Sequence, residues 1–289
     1  MTDKDTSDHA VLAHELEHLR ATLHRLDPHV RDDLPDAVHQ MRITCRRLRS
    51  ALRTFRKSLD RGATDPVRDD LKWLGGALGR ARDLEVLRAR IDRLLLAQSP
   101  ELLRGHPGPW IDRRIDAARR TAHADVLEAM ASPRYVALLV TLDGWQKRPP
   151  WAGRPDRPAR KRMGRALDRA WSDMERAATA AAANDAVDRI ARLHAARKAA
   201  KRTRYAAEML EPVLGQTAGA RAAAAEEIQD ILGDHRDTVA AIVHLRELSD
   251  IAHAEGRQTF TFGVLCARLE ADAADREAAF EQAWGRISA

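Results

Sequence analysis

The sequence predicts an all-α protein arranged as two helical bundles, and three observations carry that expectation. Strand-favouring residues are sparse: aromatics make up 4% of a chain that is 44% hydrophobic, and Ala, Leu and Arg dominate, which are helix formers. Apolar residues recur at helical spacing along the whole length, punctuated by Pro and Gly stops. Two different motifs each occur twice, in the same order and at nearly the same separation. With 289 residues, the chain divides naturally into two units of roughly 140, each large enough to bury a core.

The elements are expected in this order. A first helix covers about 8–26 and ends before Asp27-Pro28. A second begins near Pro35, a residue suited to a first helical turn, and runs to about 60, ahead of Gly62. A third spans about 65–97, interrupted by Gly75, Gly76 and Gly79. Gly105-His106-Pro107-Gly108-Pro109 is a break. Helix resumes over about 110–131, stops at Ser132-Pro133, and continues to about 146. KRPPWAGRPDRP, residues 147–158, holds four of the twelve prolines and reads as the linker between an N-terminal bundle, 8–146, and a C-terminal one, 159–285. Beyond it helices are expected at about 159–182, 184–211, 216–253 and 258–284. Asn184 is a cap for the second of these and Pro212 its stop.

The repeat supports this division. VHQMRITCRRLRSAL begins at Val38 and LHAARKAAKRTRYAA at Leu193. Without gaps, His39 meets His194, Arg42 meets Arg197, Arg46 meets Lys201, Arg47 meets Arg202 and Arg49 meets Arg204, all at an offset of 194 − 39 = 155. LGRARD (Leu78–Asp83) and LGDHRD (Leu232–Asp237) follow at an offset of 232 − 78 = 154. Duplication is the reading that explains both pairs.

Charge is distributed unevenly. The net charge is +6, yet residues 1–36 carry nine acids against four bases, and residues 39–57 carry seven bases and no acid. Advancing about 100° per residue puts His39, Arg42, Arg46, Arg49 and Arg53 within about 80° of arc, with Met41, Cys45, Leu48, Leu52 and Phe55 opposite. The second copy repeats the pattern with His194, Arg197, Lys201 and Arg204; Glu208 stands where the first copy has Arg53. From His39 to Arg49 the stripe extends about 15 Å, a line of donors suited to an extended chain of phosphates. Like charges one turn apart repel, and no interleaved acid relieves them. An external polyanion is the simplest compensator, and the guanidinium fork grips two phosphate oxygens. A solvated surface is the ordinary reading of a single basic run; two runs matched residue by residue argue against it. The histidines are unsuited to a metal, because the neighbouring guanidinium groups repel a cation. Arg82-Asp83 and Arg236-Asp237 either brace the basic helices through ion pairs or present Arg82 and Arg236 to the same anion.

At these residues the sequence resembles the CHAD family, the conserved histidine α-helical domain. The matching stretches are VHQMRITCRRLRSALRTF, LGRARDLEVL, SPRYVALLVTL, LHAARKAAKRTRYAAEML and LGDHRD, spread over about residues 8–285. The resemblance implies two four-helix bundles related by pseudo-two-fold symmetry, with a basic central cleft that binds inorganic polyphosphate. Carried over by position, the implied contacts are His39, Arg42, Arg46, Arg49, His194, Arg197, Lys201 and Arg204, flanked by Arg47, Arg53, Arg82 and Arg202. It also implies polyphosphate granules as a location.

Other functions are disfavoured. Nucleic-acid binding is the alternative, but the stripes offer few amides for base edges, and Tyr205 is the lone aromatic neighbour for base stacking. For an enzyme the chain lacks GxxxxGK, HExxH and a paired-carboxylate metal site on the basic faces, so no catalytic residue, cofactor or metal is expected. Cys45 and Cys266 have no metal-type or redox-type spacing and read as structural thiols. The polar N-terminus has no signal-peptide character, and no apolar run approaches the ~18 residues of a membrane span. The expected protein is soluble and cytoplasmic.

Overall fold

The structure, a computed structural model, describes residues 7–153, 158–183 and 188–288. Among these the regular elements are helices: α1 (Asp8–Arg31), α2 (Ala37–Thr54), α3 (Arg61–Leu96), a 3-10 turn at Pro100–Leu102, α4 (Pro107–Ala131), α5 (Pro133–Lys147), α6 (Ala159–Ala182), α7 (Arg189–Leu214), α8 (Gln216–Ala254) and α9 (Phe260–Ser288). The all-α expectation holds.

Several expected stops do not stop the chain. α1 runs through Pro28 to Arg31. Its apolar row Leu12, Leu16, Leu19, Leu23, Leu26 and Val30 is buried throughout, and Tyr135 Oη donates to Asp27 at 2.7 Å beside the proline. Packing there outweighs the one backbone bond that proline forfeits. Gly75, Gly76 and Gly79 do not interrupt α3, a single 36-residue helix. Leu71, Leu74, Ala77, Leu78 and Ala81 stay buried across the glycines, and burial offsets their poor helix propensity. Pro212 lies inside α7, which instead ends at Gly215, a residue in left-handed φ. Conversely, α2 stops at Thr54 rather than near 60, so Arg56 and Lys57 fall in the turn before Asp60 caps α3 through Gly62 N–H at 2.9 Å. Asn184, the expected cap of α7, lies outside the described residues. Ser132 does cap α5, accepting from Tyr135 N–H at 3.3 Å.

The buried side chains form three clusters. The first joins α1, α2, the first half of α3, α5 and the end of α4 to the start of α6 and the end of α7. The second sets Leu87, Ile91 and Leu94 of α3 and Trp110, Ile111 and Ile115 of α4 against Leu245 of α8 and Phe262, Leu265 and Leu269 of α9. The third lies within α6, α7, α8 and α9. The Pro-rich stretch is fastened down where it is described: Asp60 N–H donates to Pro150 O at 2.8 Å, and His9 stacks on Trp151 with ring centroids 4.3 Å apart. Cys45 is buried, which pushes its thiol up to about 12; a thiol of that kind is inert.

Candidate anion-binding site

α2 and α7 each bury one face and turn the other toward a shared patch. Met41, Cys45, Leu48 and Leu52 are fully buried on α2, as are Ala196, Ala200, Ala207 and Leu210 on α7. The opposite faces bring the basic stripes together. Arg46 of α2 reaches α7, its Nη2 donating to Tyr205 Oη at 3.3 Å. Lys201 of α7 is crowded by four guanidinium groups, Arg46, Arg197, Arg42 and Arg49. Arg42 in turn feels Arg46, Arg236 and Arg197. The two copies of the repeat therefore meet as one cationic cluster.

The duplicated glycines explain part of this geometry. A Cβ on Gly79 of α3 would lie 3.5 Å from Arg42 Nε, and one on Gly233 of α8 would lie 3.5 Å from Arg197 Nε. In both halves the glycine of LGRARD or LGDHRD thus gives room to the same arginine of the basic stripe. Sequence spacing revealed the glycines but not this pairing. The aspartates of the motifs act alongside. Asp83 lies 3.6 Å from Arg42 and 3.3 Å from Arg236, and Arg236 lies 3.3 Å from Asp237. Asp237 is largely buried, which raises its carboxyl despite the nearby Arg236 and Arg197. Arg236, from the second motif, joins the cluster next to Arg42 and Arg197. Arg82 instead pairs with Glu85 at 3.0 Å and Asp36 at 4.0 Å.

The expected contacts separate by how their charge is answered. Arg204 is surrounded by Glu208 at 2.6 Å, Glu226 at 2.7 Å and Asp230 at 3.8 Å; burial would lower its pKa, but these acids outweigh it and raise it. Arg47 faces Glu208 at 3.1 Å and Glu15 at 3.8 Å, with the Tyr205 ring 5.8 Å away. Glu208, the acid that replaces Arg53 in the second copy, therefore neutralises both. Among the described residues no ion pair involves Arg46, Arg49, Arg53, Arg197, Lys201 or Arg202, and the buried Nε atoms of Arg46 and Arg197 and Nδ1 of His39 lack a hydrogen-bond partner.

The titration of the cluster reflects this imbalance. Burial pushes the Lys201 ammonium down from 10.5 to about 7, assisted by the four guanidinium groups. Burial also lowers Arg42, Arg49, Arg197 and Arg202, with like charges contributing at each. His39 is lowered by burial and then by Arg82, against an opposing pull from Asp36. His194 is lowered by burial and then by Lys198, Arg197, Arg236 and Lys201. A buried patch of like charge destabilises itself and favours any ligand that brings negative charge.

Comparison with known proteins identifies the family and the fold. Two curated Mycobacterium tuberculosis proteins, uncharacterized protein MT2285 (strain CDC 1551 / Oshkosh) and uncharacterized protein Rv2226 (strain ATCC 25618 / H37Rv), are each 38% identical to this chain over 259 residues, 86% of it. The chain spans about half the length of these relatives, 47% in each case. Among solved structures, PptA from Streptomyces chartreusis superposes with a TM-score of 0.77 at 23% identity, covering 97% of this chain and 100% of its own. The crystal structure of the CHAD domain from the plant Ricinus communis superposes with a TM-score of 0.75 at 26% identity, covering 98% of this chain and 93% of its own. The CHAD domain itself matches residues 12–246, and the chain belongs to the CHAD-domain family.

Proposed function

We propose that the protein binds inorganic polyphosphate without chemical turnover, in a basic cleft between α2 and α7. One observation carries the reading: Lys201 sits among Arg46, Arg197, Arg42 and Arg49, and among the described residues no ion pair answers it. A line of donors about 15 Å long on α2, from His39 to Arg49, and about 10 Å long on α7, from His194 to Lys201, suits a chain of condensed phosphates more than a single anion. His39, Arg42, Arg46, Arg49, His194, Arg197 and Lys201 are the contacts proposed, with Arg53, Arg202 and Arg236 beside them. The groups gathered there hold phosphate oxygens by charge and hydrogen bonding. Asp83 and Asp237 are engaged with Arg42 and Arg236. Residues 8–146 and 159–285 are then two halves of a duplicated binding unit. No helix among the described residues is long and apolar enough to cross a membrane, and polyphosphate granules in the cytoplasm are the proposed location.

Calorimetry with polyphosphates of graded length tests this, comparing the wild type with Arg46→Glu plus Lys201→Glu. Affinity should rise with chain length and collapse in the double variant. Duplex DNA, whose phosphates the same charges would meet, should compete only at far higher phosphate concentration. Equal competition by DNA would replace this reading with a nucleic-acid one. Release of orthophosphate on incubation with polyphosphate and a divalent metal would overturn the absence of turnover.

A further inference from the structure

A second group of unanswered bases lies beyond the end of α2. A cavity of about 690 Å³ is bordered by Thr54 at the end of α2, the turn that follows, and Pro158 with the first three turns of α6. Phe55, Met163 and Ala166, all buried, form its apolar floor. Lys57, Lys161, Arg165 and Arg169 are exposed around it, and no acid lines it. Among the described residues none of these four takes part in an ion pair. Arg162, the fifth base, is structural. It pairs with the buried Asp8 at 3.0 Å and donates to Lys57 O at 3.2 Å, fastening α6 to the turn.

This cavity begins where α2 ends, just past the last base of its stripe. Arg49 of the central stripe, lowered by burial and then by Arg68 against the pull of Asp69, also feels Arg53 one turn further along α2, more weakly. Arg53 in turn acts on Arg202 of α7. Four residues past Arg53 stands Lys57, at the cavity's edge. On α6, Lys161, Arg165 and Arg169 follow at intervals of four and so share one helix face. From His39 to Arg53 the α2 stripe already extends about 21 Å, and Lys57 stands in the turn just past the end of that helix.

We infer that the basic track continues past Arg53 and Arg202 into the cavity between the α2 turn and α6, where Lys57, Lys161, Arg165 and Arg169 take further phosphates of a condensed-phosphate chain already held at the centre. The inference rests on the proposed polyphosphate binding and adds a length-selecting subsite to it: short chains fill the centre, and only long ones reach α6.

The test uses tripolyphosphate and long-chain polyphosphate with three proteins: wild type, Lys161→Glu plus Arg165→Glu, and the central Arg46→Glu plus Lys201→Glu. In the α6 variant, long-chain affinity should fall about tenfold or more, as expected for loss of charge-assisted contacts. Its dependence of log K on log salt should also become shallower by about two contacts. Tripolyphosphate affinity should stay within about twofold, since screening weakens charges beyond a Debye length of roughly 10 Å. The neutral pair Lys161→Gln plus Arg165→Gln should show the same preference more weakly. Thermal melts keep folding separate from binding. Unchanged long-chain affinity in the α6 variant, with both probes lost in the central variant, would overturn the subsite and leave the central reading standing. Equal loss of both probes in the α6 variant would mean a general field effect, and the subsite would again fall. If the central variant bound both probes normally, the polyphosphate reading itself would fail, and the track with it.

Discussion

Arg236 of α8 lies 3.3 Å from Asp83 of α3, so the arginine of the second motif is answered by the aspartate of the first. Asp83 also faces Arg42 at 3.6 Å, which makes it the carboxylate shared by both halves of the cationic cluster. A bound phosphate would compete with Asp83 for those two guanidinium groups.

Asp83→Asn is therefore expected to weaken the free protein and strengthen binding. The Asp83 side chain is 44% exposed, so its ion pairs contribute at most about 1 kcal/mol. In a protein of this size that lowers the melting temperature by roughly 2–4 °C. Tripolyphosphate should restore more than was lost, because it stabilises by mass action and meets less competition. Melts with and without ligand measure both effects. A drop in affinity would mean that Asp83 orients the arginines rather than competing for them.

Gly79 and Gly233 make a second prediction, because a Cβ on either meets an arginine Nε at 3.5 Å, an ordinary contact. Gly79→Ala should fit and stabilise the interior of α3 by up to about 1 kcal/mol through helix propensity. Gly79→Leu should displace the Arg42 guanidinium and weaken polyphosphate binding by about tenfold, the cost of one charge-assisted bond. Gly233→Leu should do the same through Arg197. The alanine and leucine variants moving together in affinity would rule this out.

The sequence made the stripes legible because α-helical geometry fixes which residues share a face, and His39 to Arg53 do share one. That the two stripes meet was only implied, by the repeat and by the family resemblance, since nothing in local spacing says which helix packs on which. The fate of Arg204 was hidden for the same reason: Glu226 and Asp230 reach it from α8. Glu208 was visible as a departure from the repeat, but its reach across to Arg47 of α2 was not. Pro28, Pro212 and the α3 glycines are stop signals by local propensity, which the buried rows along those helices override.

Arg46 and Arg204 supply a paired test of which bases are available. Both lie on the expected stripes, yet Arg204 is held by three carboxylates and Arg46 by none. Arg46→Ala should reduce polyphosphate affinity by about tenfold or more, given roughly 1.5–3 kcal/mol for a hydrogen bond to a charged group. Arg204→Ala should leave affinity within about twofold. It should also lower stability, because Glu208, Glu226 and Asp230 lose their common partner. Titrations of the two variants side by side decide the matter, and a larger binding loss for Arg204→Ala would reverse the assignment.

Lys201 makes stability and binding depend on pH in opposite directions. Its folded value of about 7 lies well below the ordinary 10.5. Below about pH 7 the ammonium is charged in both states, and the folded protein bears the full repulsion. Between about 7 and 10.5 the unfolded chain holds a proton that the folded one has released, so stability rises with pH across that window. Lys201→Met should be more stable than wild type near pH 6 and should lose this rise. Bound phosphates reverse the preference by favouring the ammonium, so binding above pH 7 takes up a proton. Affinity should then fall by up to about tenfold per pH unit from 7 to 9, and the fall should flatten in Lys201→Met. His39 and His194, lowered below their usual 6.5, should add affinity only in more acidic solution, a gain absent from His39→Gln plus His194→Gln. Calorimetry in buffers of different ionisation enthalpy counts the protons directly. Wild-type affinity that is flat from pH 6 to 9 would show that the bound chain never meets Lys201.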